Sequence, residues 1–290
     1  MPDSAPLFDL GGPPTRIVPL VLGWEPIPES VSLRGGDPAR FLLEPVTAAA
    51  VCFADGWALI DGGFNLDVVR DPTLRKQYYD YESYTAVVPP GDALAEGIAA
   101  AGLDWADLGF SALSHVHLDH TGGLRLAPAG TPVVLQRREW DWLQAGAGRR
   151  ETVIPSDVLG ADVDVRLVDG DTVLAAGFSA LDTAGHTPGH QSFRVDLPGR
   201  SVVLACDAAD LERNVVERIP CGWTGGPGGE RLAERAVERL ADLAAMDGVE
   251  VWPGHDPSWH AWAPVPVPAP APEPEPAPAL APAPAAAPAP

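Results

Sequence analysis

The chain has 290 residues, a formal net charge of −21 at pH 7 and a sequence pI of about 4.5. So acidic a chain argues against nucleic acid, whose phosphates need Lys and Arg to displace counterions, and against an anionic membrane surface. No apolar run approaches the roughly 18 residues that a membrane-spanning helix requires. Three cysteines without a CxxC spacing, and a start Met1-Pro2-Asp3-Ser4 with no basic-then-apolar stretch, lead us to expect free thiols and a cytoplasmic protein.

In chain order, strands are expected at 16–22, 48–54 and 57–61, the last two joined by the hairpin dipeptide Asp55-Gly56. Asp92 can cap a helix running to Ala101, which Gly102 ends. A short apolar run at 110–114 leads into a histidine cluster. A strand at 131–135 and a helix at 138–144 follow. Four more strands are expected at 163–168, 178–183, 191–197 and 201–205, with Pro198-Gly199 turning the last pair. Leu232, Ala236, Leu240 and Leu243 give 230–246 an apolar helical face, and 249–252 reads as a last strand. From Ala261 the chain holds twelve prolines among little but Ala and Val, so 261–290 is expected to be a disordered tail and 1–260 one domain. The order of elements suggests an α+β fold with sheets layered between helices.

Chemistry concentrates in His115-Val116-His117-Leu118-Asp119-His120. In extended backbone, His115 and His117 project to the same side and can converge on one ion. Asp119 and His120 follow where Thr121-Gly122-Gly123 forces a turn, and can face a second position. Imidazole and carboxylate together suit zinc, iron, manganese or cobalt. His186, Asp207 and His255 each follow an expected strand and stand beside or close to glycines or a turn, where functional residues are commonly presented. Any one histidine alone would read as a surface residue. Cys206, next to Asp207, reads as core, and His260 as a surface residue at the root of the tail.

The run HVHLDH resembles the HxHxDH motif of the metallo-β-lactamase superfamily. The later Gly185-His186-Thr187-Pro188-Gly189-His190, the strand end at Asp207 and Pro253-Gly254-His255 resemble its remaining motifs in order and spacing over residues 16–260. The resemblance implies an αββα four-layer sandwich with the site at one edge of both sheets. It implies two divalent ions, with zinc the first expectation. His115, His117 and His186 would hold one, Asp119, His120 and His255 the other, and Asp207 both. Asp61, in Asp61-Gly62-Gly63, matches the superfamily's early Asp-x-Gly motif and would orient a ligand histidine, although a turn residue at a hairpin end reads the same. His190 would play a supporting part rather than ligate.

Within the superfamily the chain looks most like the N-acyl-homoserine lactonases, in residues 186–192, 134–140 and 254–256. That likeness implies a small-molecule substrate, a lactone opened by a water that two ions make acidic, and Asp119 and Asp207 as catalytic residues. One position departs from the group, whose tyrosine three residues after the bridging Asp is here Asp210. An ionised carboxylate cannot donate the hydrogen bond a tyrosine would. Tyr78, Tyr79, Tyr81 and Tyr84 lie together in one segment; as a loop over the site it would let one of them, such as Tyr84, supply the hydroxyl, and as an aromatic patch it would pack on the core. Other readings are a thioester, phosphoester or β-lactam hydrolase of the same fold, or a non-catalytic metal-binding protein. The oligomeric state is open, a homodimer included.

Overall fold

The computed structural model describes residues 5–79, 85–146 and 153–262. In chain order the strands are β1 (Arg16–Pro28), β2 (Phe41–Cys52), β3 (Trp57–Ile60), β4 (Leu108–Ala112), β5 (Thr131–Gln136), β6 (Val163–Val168), β7 (Thr172–Ala175), β8 (Phe178–Asp182), β9 (Gln191–Leu197), β10 (Arg200–Cys206) and β11 (Val249–Pro253). The α-helices are α1 (Glu29–Ser32), α2 (Leu66–Arg70), α3 (Pro72–Tyr78), α4 (Ala93–Ala100), α5 (Arg137–Gln144), α6 (Pro155–Leu159), α7 (Glu212–Glu217) and α8 (Gly229–Ala244).

The strands form two sheets, ordered β1-β2-β3-β4-β5-β6 and β11-β10-β9-β8-β7. Their facing sides make the main core. Val51, Ile60, Phe110 and Val134 of the first sheet meet Leu174, Phe178, Phe193, Val202 and Leu204 of the second. Each outer side is covered by an amphipathic helix. Leu94 and Ile98 of α4 pack on Leu20, Ala48, Ala50 and Leu59, and Ala236, Leu240 and Ala241 of α8 pack on Leu181, Val203, Ala205 and Val251. The expected αββα sandwich is therefore the fold.

Local chemistry explains most of the boundaries. Asp92 accepts from the Ala95 amide at the start of α4, and Gly102, at φ +73°, ends the turn after it. β2 and β3 pair antiparallel across Asp55-Gly56, and β9 and β10 across Pro198-Gly199. The first pair departs from expectation. β1 runs six residues beyond 22 and β2 starts at Phe41 rather than 48, because the two pair along almost their whole length from Arg16 opposite Cys52 to Pro28 opposite Phe41. Proline-rich ends that look like breaks in the sequence are carried by that pairing. Strand β7 and helices α1, α2, α3, α6 and α7 were not anticipated.

The domain also extends past 260. Ala261 and Trp262 pack on the main core, and Trp262 is buried, donating its indole N–H to the Pro253 carbonyl at 2.7 Å. The rest of the expected tail lies outside the described residues. Among the described residues no helix is long and apolar enough to cross a membrane.

Candidate metal centre

The histidine cluster begins three residues after β4 ends. Irregular backbone carries His115 and His117, and a turn at 118–120 closes with the His120 amide donating to the His117 carbonyl at 3.1 Å. Two glycine loops lock that turn. The Gly62 amide donates to the His120 carbonyl, and the Gly122 amide to the Gly63 carbonyl. A Cβ at Gly122 would lie 2.0 Å from the Asn65 nitrogen, so the backbones approach in a way that glycine alone allows.

The second sheet supplies the rest. His186 follows β8, Asp207 follows β10 and His255 follows β11. Cys206 takes a left-handed backbone, φ +47°, that turns the chain at the end of β10 and leaves its thiol in the core. The Asp207 amide then donates to His190 Nε2 at 3.1 Å, and His190 Nδ1 lies 3.0 Å from the Thr183 hydroxyl. With both ring nitrogens engaged in this way, His190 braces Asp207. Burial pushes its imidazole down to about 4, the neutral form that can accept the amide.

Seven side chains converge in two buried groups. His115, His117, His186 and Asp207 form one, and Asp119, His120, Asp207 and His255 the other; within each, the potential ligand atoms all lie within 4.8 Å of one another. Asp207 divides its oxygens between them. Oδ1 is 3.1 Å from His255 Nε2 and 3.2 Å from His120 Nε2, while Oδ2 is 3.3 Å from His186 Nε2 and 3.7 Å from His115 Nε2.

The opposite nitrogens are tied to fixed partners. Asp61 Oδ1 accepts the Ser114 amide at 2.7 Å, and its Oδ2 accepts the Ser114 hydroxyl at 2.8 Å and lies 2.9 Å from His120 Nδ1. The Ser114 hydroxyl is 2.9 Å from His115 Nδ1, and the Pro45 carbonyl is 2.9 Å from His255 Nδ1. These contacts favour N–H at each Nδ1 and a lone pair at each Nε2, the tautomer that presents Nε2 to an ion.

The residues fit metal ions on their own geometry. Nε2 of His115 and of His120 are buried and make no aligned hydrogen bond, although carboxylate oxygens lie close by. Their lone pairs aim at shared points rather than at one another's protons. Burial, with His120 as a neighbouring charge, drives His115 well below the usual histidine range, and burial drives His117 down to about 4 and His186 well below. These are the neutral imidazoles that ligation requires. Burial lowers His120 in the second group as well, but Asp119 and Asp207 outweigh it and hold His120 well above its ordinary value, so an ion bound there would displace a proton from its Nε2.

A buried carboxylate foreseen only as part of a motif links the two ligand loops. Glu139 of α5 accepts the Val116 amide at 3.1 Å and the Gly189 amide at 2.8 Å. A cavity of about 380 Å³ opens onto His117, Asp119, His186, Asp207 and His255. Its further walls are Ile27, Pro28, Val31 and Trp223, with Glu25, Glu44 and Asp210 among them. Sequence reasoning missed Glu25, Glu44 and Trp223. Asp210 is no solvated anion, as its type alone suggested. Burial, then Asp207, Glu44 and Glu25 nearby, push its carboxyl well up. Tyr79 packs in the core against Phe64, whereas Tyr81 and Tyr84 lie outside the described residues. His260 stands on the surface, 3.2 Å from Glu250.

Residues 43–247 match the model of the metallo-beta-lactamase superfamily. The chain belongs to that superfamily. The N-acyl homoserine lactonase AttM of Azorhizobium caulinodans is 33% identical over 247 residues, 80% of this chain and 89% of that protein. An N-acyl homoserine lactonase of Bacillus cereus is 27% identical, over 76% of this chain and 84% of the relative. Among solved structures, an N-acyl homoserine lactone hydrolase with the product N-hexanoyl-L-homoserine bound at its catalytic metal centre aligns with a TM-score of 0.72 at 23% identity, covering 84% of this chain and 94% of that one. The dizinc quorum-quenching lactonase AidC aligns at 0.58 and 14% identity, over 87% and 92%. These structural matches agree with the superfamily's two-sheet architecture.

Proposed function

We propose that the protein is a lactonase, a hydrolase that opens a cyclic ester such as an N-acyl-homoserine lactone. The observation that carries this reading is the cavity: it opens directly onto Asp119, Asp207 and the ligand histidines, and its walls of Ile27, Pro28, Val31 and Trp223 suit a small, partly apolar substrate. Lactonase relatives at about 30% identity support the choice of ester.

His115, His117 and His186 would hold one ion, Asp119, His120 and His255 the other, and Asp207 both; zinc suits this donor set best, with iron, manganese and cobalt also accommodated. Two such ions supply Lewis acidity toward a carbonyl and make water nucleophilic at neutral pH. Around them the chain positions, excludes and moves protons. Asp119 lines the cavity, where its carboxylate can take the proton of the attacking water and return it to the ring oxygen as the carbonyl–oxygen bond breaks. Trp223, edge-on to His117 and His186 at ring-centroid distances of 5.0 and 5.1 Å, shields that side of the centre from bulk water.

The test is elemental analysis of the purified protein followed by a proton-release assay over lactones, thioesters, phosphodiesters and β-lactams. We expect about two ions per chain and turnover of lactones, lost on chelation and restored by Zn²⁺. Turnover of thioesters alone, or less than about one ion per chain after metal-replete expression, would overturn the reading.

A further inference from the structure

We propose that Glu139 is the positioning residue for the ion of His115, His117 and His186. Its carboxyl group fixes how far apart the two sheets hold these ligands, so that this group is preformed before an ion arrives. The role rests on the proposed ion ligands and is independent of which ester is opened.

The ligands of this ion are divided between the sheets. His115 and His117 follow β4 of the first sheet, whereas His186 follows β8 of the second. Each loop is anchored on its own side. The Leu113 amide donates to the Val134 carbonyl of β5 at 3.1 Å. Gly185 lies so close to α8 that a Cβ there would stand 2.3 Å from the Ala233 nitrogen. Neither anchor sets the separation across the sandwich.

Glu139 does. It is wholly buried at the start of α5, between the two loops. One oxygen accepts the amide of Val116, the residue between His115 and His117, and the other accepts the amide of Gly189, three residues after His186. The second loop lies directly on the helix: a Cβ at Gly189 would stand 2.3 Å from the Glu139 nitrogen. A second tie runs beside the first. Gln136 Nε2 donates to Gln191 Oε1 at 3.0 Å, and Gln191 Nε2 donates to the Leu113 carbonyl at 2.8 Å. The ties thus grip the first loop on both sides of His115, at Leu113 and at Val116.

The other ion has cross-sheet ties of its own. The Thr47 hydroxyl of β2 donates to the Gly254 carbonyl at 2.9 Å, and His255 Nδ1 lies 2.9 Å from the Pro45 carbonyl. A change at Glu139 should therefore act on one ion and spare the other. Both amides that meet Glu139 are donors, so both of its oxygens must accept. Glutamine keeps the volume but turns one acceptor into a donor, which leaves a buried amide facing an N–H.

The test loads wild type and Glu139→Gln with NMR-active cadmium, assigns each resonance by its coupling to histidine ring protons, and withdraws the ions with a chelator. We expect the resonance coupled to His115, His117 and His186 to vanish at about 10–100-fold lower chelator in the variant, with the other moved by less than about twofold. Amide hydrogen exchange then follows Val116 and Gly189 in chelator-stripped wild type, where both should stay protected. Equal loss of both resonances would reduce Glu139 to a general packing role and overturn the proposal, as would no loss of either. Exchange of the two amides at unprotected rates in stripped wild type would overturn the preformed group, even if the variant failed to fold. Wild type that binds no cadmium removes the ligand set and the role of Glu139 with it. A loss confined to the expected ion, in a protein that opens no lactone, leaves that role standing and removes the lactonase reading alone.

Discussion

Asp61 holds a left-handed backbone at φ +54°, unusual for a residue other than glycine, and uses it to receive two donors from Ser114 while facing His120 Nδ1. An amide in its place keeps the shape but loses an acceptor and the charge that favours His120 in its ligating orientation. Asp61→Asn should therefore weaken ion binding at the group of Asp119, His120 and His255 by about 10–100-fold, measured by competition with a chromogenic chelator. Unchanged affinity at both groups would remove the orienting role. The ligand residues themselves were legible, because four of them fall within six positions and the others stand at strand ends, His186 and His255 directly after a glycine. Glu25 and Glu44 were not. Each looks like an ordinary polar residue of a strand, and what makes them unusual is that they are paired across two strands and buried. No local pattern reports a partner 19 positions away.

At the scale of elements, segments with a clear period or a turn signal at their ends were read well, whereas the long β1–β2 pair and the shortest helices were not. Helix α8 announced itself by its apolar face, and β6 and β9 have the expected ends. The four residues of β7 are too few to show a period, although Gly170 and Gly177 bracket them. Helix α3 did carry a signal, Asp71 before Pro72: the Asp71 side chain accepts the Thr73 and Leu74 amides, and proline fits the first helical turn. The placing of α8 on its sheet depends on a tether that no periodicity reveals. Arg239 holds Asp171 through both guanidinium nitrogens at 2.8 and 2.6 Å and also donates to the Asp182 carbonyl, while the Asp182 amide donates to Asp171. Burial would raise the Asp171 carboxyl, but Arg239 and the Asp182 amide outweigh it and hold it below its ordinary value of 3.8. A lowered carboxyl stabilises the fold above its unfolded value and loses that contribution as pH falls through the folded one. Asp171→Ala should cost about 1 kcal/mol at pH 7, allowing for the half-exposed setting, with the gap to wild type closing as pH drops below 3.8. Chemical denaturation across that range measures it; a gap constant with pH would mean that packing, not charge, carries the effect.

For the whole molecule, the centre lies where the two sheets meet. The first sheet contributes His115, His117, Asp119 and His120 from the loop after β4, and the second contributes His186, Asp207 and His255. Layered sheets were suggested by the order of the elements and the αββα sandwich by the resemblance of the motifs, while Trp262, just past the expected boundary at 260, packs in the core. Trp262 sits edge-on to Trp252 at a centroid distance of 5.7 Å and bonds the carbonyl of Pro253, two residues before His255. Trp262→Ala should cost about 3–5 kcal/mol in urea unfolding, a core-sized loss; a cost below about 1 kcal/mol would place the residue outside the cooperative unit. The cavity that meets the centre is built largely from other stretches of chain: β1, α1, the early part of β2 and the segment around Trp223. None of these carries a proposed metal ligand. Reactivity and selectivity are thus written in separate passages of the sequence, so substitutions in one passage can reshape the cavity while the ligand set in the other stays intact.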